Sequence, residues 1–287
     1  MNLKHCRSES PKGSVFAWSI IGWSSTASPS IAIAKEANVH LNARAVLRIA
    51  GLVLLLVGLA PVHIATKFLR GRSPWPPRFL AVAAWIIGAR VTVKGRKVGR
   101  HSLIVANHTS WLDILVLGGW TKCAFVSKDQ LGHPLIHWLA DQNATVYVKR
   151  THRKGAKDQA IAVAGALSLD KPVAVFPEGT TGPGDHLLPF RSTLLESANF
   201  AAKDVQIRPA AVDYGPSATE VGWWHEPGGS NVLRVLGRRG TLPVTVHLLP
   251  PLARSLDRKQ LAHEAREAIG TTLGFKLASH SPIAGSE

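Results

Sequence analysis

The chain of 287 residues carries 34 Lys and Arg against 18 Asp and Glu, a formal net charge of +16, and 46% of its residues are hydrophobic. That content excludes a wholly disordered chain, and the length suits one α/β domain with an appendage. The two cysteines, Cys6 and Cys123, lie far apart and outside any CxxC spacing, which excludes a disulfide framework and a cysteine metal site and fits a reducing compartment.

Residues 1–40 show no clear period. A basic start and an apolar run broken by Ser24-Ser-Thr-Ala-Ser-Pro-Ser30 make a poor secretory signal, and a start near Val39 is the alternative to a genuine extension. From Ile49 to Thr66 the chain is apolar except for His63 and Thr66, about eighteen residues, the lower limit for spanning a bilayer, with Pro61 as a candidate kink. A second apolar segment, Phe79–Gly88, is about ten residues and too short to span. No acidic residue occurs between Glu36 and Asp113, whereas Arg44, Arg48, Lys67, Arg70, Arg72, Arg78 and five further basic residues do. Such charge around apolar helices suits an anionic membrane face better than nucleic acid, because no helix-turn-helix, zinc-finger or base-stacking signature accompanies it. Basic residues flank both segments on both sides, so charge names no outer end. A membrane-embedded helical hairpin or interfacial anchor over residues 41–89 is expected, ahead of a single crossing.

From residue 90 the pattern changes to short β-branched runs. Val91–Val93, Leu103–Val105, Cys123–Val126, Thr145–Val148, Val173–Phe176, Ile207–Val212 and Val244–Leu248 read as strands. Helical stretches are expected at 111–119, 133–141, 156–169 and 191–201, and Leu261, Ala265, Ile269 and Leu273 mark a last amphipathic helix. Strands alternating with helices make the class α/β.

The chemistry lies at strand ends. Asn107-His-Thr-Ser-Trp-Leu-Asp113 follows the run Ser102–Ala106, and a turn there brings the Asp113 carboxylate to one nitrogen of His108, leaving the other for a substrate hydroxyl. That makes a general base, although a short motif of this kind is by itself equally a structural His–Asp hydrogen bond. Seventy residues on, Phe176-Pro-Glu-Gly-Thr180 closes another buried run, where α/β sheets bind ligands. Gly179 allows close backbone approach and Glu178 is a candidate to orient a hydroxyl or a basic side chain; an ordinary Pro-Glu-Gly turn is the alternative. Arg150 heads the cluster Lys149, His152, Arg153, Lys154 and Lys157 and is suited to grip an anionic head group, a solvated basic face being the alternative. His133 and His137 are four apart, but Pro134 intervenes and no third ligand is near, so no metal site is expected. No GxSxG elbow occurs, and Cys123 in a strand reads as a buried thiol. Trp223-Trp-His225 reads as an interfacial or core aromatic patch.

Four blocks in order, Asn107–Asp113, Val146-Tyr-Val-Lys-Arg150, Val175–Thr180 with Leu188-Pro-Phe-Arg191, and Ile207-Arg-Pro-Ala210, resemble the glycerolipid acyltransferases typified by 1-acylglycerol-3-phosphate acyltransferase. The resemblance covers about residues 45–250. It implies an α/β fold with a mixed sheet flanked by helices over residues 90–287, and an N-terminal helical pair that docks on the bilayer. It also implies acyl transfer from acyl-CoA or acyl carrier protein to a lysolipid hydroxyl, most directly 1-acylglycerol 3-phosphate to give phosphatidic acid, at the cytosolic face of the inner membrane. No metal or redox cofactor is implied. His108 is then the base and Asp113 its orienting partner, by direct transfer without a protein nucleophile; Arg150, Glu178, Gly179, Thr180, Lys128 and Arg191 are the substrate-binding set. One departure stands out: the family commonly has arginine after Phe-Pro-Glu-Gly-Thr, where this chain has Thr181. A related group of the family acylates lyso-ornithine lipid, an aminolipid without phosphate, which is the alternative acceptor. A basic membrane-surface binding protein is the non-enzymatic alternative.

Overall fold

A computed structural model describes residues 42–128, 133–148, 155–168, 171–253 and 257–275. Helix α1 runs over Ala43–Arg70, started by the Asn42 side chain, which accepts the Ala45 N–H at 2.9 Å, and stopped by Gly71 in the left-handed region. Its 28 residues span about 42 Å, and it is long and apolar enough to cross a membrane. Leu47, Leu54, Val57, Phe68 and Leu69 on it are exposed, the surface a lipid-facing helix presents. Helix α2, Trp75–Ile87, follows after four residues and packs back on α1, so the expected hairpin forms.

Several contacts tie this pair to the rest, among them two close ones. Arg48 of α1 donates to the carbonyls of Val235, Leu236 and Arg238 at 3.0–3.3 Å, the electronegative end of a helix described below. Against helix α3 (Leu112–Thr121), α2 lies so close that a Cβ on Gly119 would fall 2.8 Å from the Ala81 nitrogen.

The strands are β1 (Ala89–Gly95), β2 (Ser102–Ala106), β3 (Ala124–Lys128), β4 (Val146–Val148), β5 (Val173–Val175), β6 (Gln206–Asp213) and β7 (Leu242–Leu248). They form one sheet in the order β1-β7-β6-β2-β5-β3-β4, parallel except between β6 and β7. The remaining helices are α4 (Pro134–Gln142), α5 (Gly155–Leu167), α6 (Ser197–Phe200), α7 (Ala218–Val221), α8 (Gly228–Gly237) and α9 (Arg258–Leu273). Central strand β2 is buried on both faces, as covered parallel sheets require: Ile104 and Ala106 join the core beneath α2, α3 and α8, while Leu103 and Val105 join that beneath α5 and α9.

All seven expected strands are present, with no boundary moved by more than two residues; Cys123 sits just before β3 rather than in it. The expected helix over 191–201 starts later and is shorter: the Arg191 N–H donates to the Pro177 carbonyl at 2.8 Å, and after a turn the 3₁₀ stretch Leu194–Glu196 leads into α6. Helix α8 was not expected, because Gly228, Gly229 and Gly237 weaken its local signal; it is held by burial of Asn231, Val235 and Leu236.

Candidate active site

Parallel neighbours β2 and β5 end at the same edge of the sheet, and each delivers one block of the site. Past β2 the chain turns so that Asp113, in the first turn of α3, faces back on the preceding residues. Its Oδ2 accepts His108 Nδ1 at 2.9 Å and the N–H groups of Thr109 and Ser110 at 2.7 and 2.9 Å. The carboxylate is fully buried, and the helix N-terminus and these donors offset the cost of its charge. The His108 ring stacks on Phe176 with centroids 4.0 Å apart. A His–Asp pair so arranged, with Nδ1 engaged, is built to exchange a proton through Nε2.

Glu178, past β5, uses both oxygens on backbone: Oε1 accepts the His108 N–H at 2.7 Å and Oε2 the Leu188 N–H at 3.0 Å. Burial pushes this carboxyl up to about 8, against the pull of the two N–H donors. Gly179 adopts φ +74° in the tight turn where its N–H donates to Phe176 O, a conformation glycine takes without strain. Thr180 is half-buried in the same loop. Thr181 turns its hydroxyl to the Trp223 carbonyl at 2.7 Å, and the Trp223 N–H reaches Thr109 O at 2.9 Å, so three loops are knotted around His108.

A largely apolar cavity of about 610 Å³ opens beside this constellation. Leu56 and Leu59 of α1, Phe79 of α2 and Ile114 of α3 line it, and so do His108, Phe176, Gly179, Thr181, Arg191 and Trp223. The cavity thus joins the helical pair to the His–Asp pair, and its size suits an alkyl chain.

Arg191 is exposed at this cavity. Lys128 ends β3, and its side chain lies outside the described residues, as do Lys149, Arg150 and His152–Lys154. Arg208 of the fourth block is structural, donating to Leu249 O and Lys97 O. His133 accepts the Leu135 N–H at the start of α4, and His137 pairs with Asp141 and stacks on Tyr147 of β4. Burial pushes the Cys123 thiol up to about 11, which suits an inert core group.

Two buried residues escaped the sequence reading. Tyr214, just past β6, donates to Asp113 Oδ1 at 2.5 Å, and only its place four residues after the fourth block hinted at the site. Asn231 of α8 accepts Trp111 Nε1 at 3.0 Å and donates to Gly222 O at 2.9 Å, bracing the loop that carries Trp223; nothing local signals it.

Residues 90–213 match the family model described as Acyltransferase. Lyso-ornithine lipid O-acyltransferases from Rhodobacter capsulatus and Rhizobium meliloti are 32% and 33% identical, over 80% of this chain in each case and 90% and 87% of theirs. A 1-acyl-sn-glycerol-3-phosphate acyltransferase from Neisseria gonorrhoeae is 34% identical over 41% of this chain and 47% of its own. The crystal structure of the 1-acyl-sn-glycerophosphate acyltransferase PlsC from Thermotoga maritima has the same fold, with a TM-score of 0.53 at 20% identity, covering 82% of this chain and 100% of that one. With the His108–Asp113 pair at the strand end and the mixed sheet behind it, the chain belongs to the PlsC-type acyltransferase family and is an acyltransferase of lysolipids.

Proposed function

We propose that this protein moves a fatty acyl group from acyl-CoA or acyl carrier protein onto the hydroxyl of lyso-ornithine lipid, working at the cytoplasmic face of the inner membrane. The observation that carries the reaction is His108 on the wall of the apolar cavity, with Asp113 buried behind it. His108 Nε2 takes the proton of the acceptor hydroxyl as that oxygen attacks the thioester carbonyl. The tetrahedral adduct then expels the thiolate as the C–S bond breaks, and the thiolate takes the proton back from the imidazolium. Asp113 holds the tautomer and offsets the transient positive charge. No covalent acyl-protein intermediate is needed.

Two observations support an aminolipid acceptor. The relatives matched over most of their length are named for lyso-ornithine lipid. Thr181 stands where the family commonly has arginine, and its hydroxyl is spent on the Trp223 carbonyl, so that position offers no charge to a phosphate monoester. The second reading is 1-acylglycerol 3-phosphate as acceptor, favoured by exposed Arg191 at the cavity.

The test is acyl transfer by purified protein in detergent, with labelled acyl-CoA and acyl-carrier-protein donors and with both lysolipids offered together, beside His108→Ala. Ornithine lipid as the main product, lost in the variant, is expected. Phosphatidic acid as the main product moves the assignment to the second reading. Transfer that survives His108→Ala removes His108 as the base, and no product from either lysolipid with folded protein favours a basic membrane-surface binding protein.

A further inference from the structure

Tyr214 is a buried ionisable group in direct contact with the His–Asp pair that the transfer step does not use. It is 2% exposed, and its hydroxyl meets Asp113 Oδ1 at 2.5 Å while Oδ2 carries His108, Thr109 and Ser110. We propose that Tyr214 is a positioning residue: by donating to Asp113 it lowers the proton affinity of the His108–Asp113 pair and so extends base function to lower pH. The proposal rests on the reading of His108 as the base.

A donor on the carboxylate stabilises the pair most when its net charge is most negative, with neutral imidazole and ionised Asp113. It stabilises the pair less once a proton has been added, whichever member carries it. Removing the hydroxyl therefore raises the pH at which the pair takes up that proton, and a stronger donor lowers it. The hydroxyl itself stays protonated: burial, then the charge of Asp113, raises its ionisation well above the ordinary range. Tyr214 is thus a fixed donor, and a second proton relay is not required of it.

The other ionisable groups around the pair come from several elements. Glu178 faces it from the loop after β5, and Arg266 of α9 is held on the carbonyls of Leu187 and Leu188 beside Glu178. Asp213 and His186 line a polar cavity of about 260 Å³ with Tyr214 and His108. Arg191 lies along the apolar cavity. Helix α2, packed on α3, carries one charged side chain, Arg78, which turns to its own Pro74 carbonyl. Lys128 ends β3 beyond the described side chains. Each is retained in the variants below, so each contributes equally to the two sides of the comparison.

The chain has two tyrosines, Tyr147 and Tyr214, which makes a graded test practicable. In a Tyr147→Phe background, Tyr214 is kept, changed to Phe, or replaced by 3-fluorotyrosine, a more acidic phenol. The His108 ring-nitrogen titration is followed by ¹⁵N NMR of the full-length protein in detergent, with the signal identified by its loss in His108→Ala. Tyr214→Phe should raise the midpoint by about half to one pH unit and fluorotyrosine should lower it, opposite shifts from one atom's donor strength. Equal midpoints in all three proteins, or shifts of the same sign, overturn the proposal. With palmitoyl-CoA and lyso-ornithine lipid, the acid limb of kcat/KM should move in step, whereas a merely structural loss would lower activity at every pH. Wild type inactive toward both lysolipids would count against the functional reading alone, since the NMR titration reads Tyr214 without turnover.

Discussion

The side chain of Asn107 pairs with the backbone of Val212 as a strand would, donating to its carbonyl at 3.0 Å and accepting its N–H at 2.8 Å. The β2–β6 ladder ends at Ala106 and Ala210, so this amide extends the pairing and holds the residue that precedes His108. Asn107→Ala would leave two buried backbone groups unpaired, at about 1–3 kcal/mol each. A fall in Tm of several degrees and a lower kcat are expected. Unchanged melting and activity would show that the ladder holds His108 without it.

Glu178 links pH to stability. Its folded carboxyl sits at about 8, above its ordinary value of 4.5, so between those values the folded state holds a proton that the unfolded state has lost. Its contribution is therefore complete below pH 4.5 and is withdrawn as pH rises through 8. Glu178→Gln removes this titration and also leaves one of two buried N–H groups without an acceptor. The variant should melt lower at pH 5, and the gap to wild type should narrow by pH 8.5. Parallel melting curves across that range would contradict it.

The docking of the helical pair is tested at two adjacent glycines. A Cβ on Gly119 would lie 2.8 Å from the backbone nitrogen and 2.9 Å from the Cα of Ala81, which can give way only if α2 moves. One on Gly118 would meet chiefly the Leu80 side chain, which can turn aside. Gly119→Ala is expected to cost about 1–3 kcal/mol and to loosen α2, seen as faster proteolysis between α1 and α2; Gly118→Ala should be milder. The reverse order would mean that α2 is not held by this contact.

Acceptor choice turns on Thr181. Thr181→Arg breaks the bond to the Trp223 carbonyl and adds a guanidinium at the cavity. Relative to wild type, kcat/KM for 1-acylglycerol 3-phosphate should rise over that for lyso-ornithine lipid by about tenfold, on the order of one charged hydrogen bond. An unchanged ratio would place acceptor selection elsewhere, with Arg150 the first residue to examine.

Much of this was legible along the chain. The β-branched runs marked all seven strands, since a sheet covered on both faces needs apolar side chains on successive residues. Strand ends then pointed to His108 and Glu178. The apolar stretch from Ile49 marked α1, because length and polarity alone decide whether a helix can face lipid. Asp113 as the partner of His108 was also readable, being five residues away in one turn.

Tertiary structure alone decided the rest. Tyr214 meets Asp113 across 101 positions, and Asn231 meets Trp111 across 120, separations at which no periodicity carries information. The expected helix at 191–201 begins only at Leu194, the Arg191 N–H being held by the Pro177 carbonyl, and glycine-rich α8 forms because its buried face outweighs its weak propensity. Glu178 shows the difference most plainly. Its residue type suggested a place at the site, and only the fold brings the backbone N–H groups of His108 and Leu188 to its two oxygens, since a buried carboxyl group needs partners.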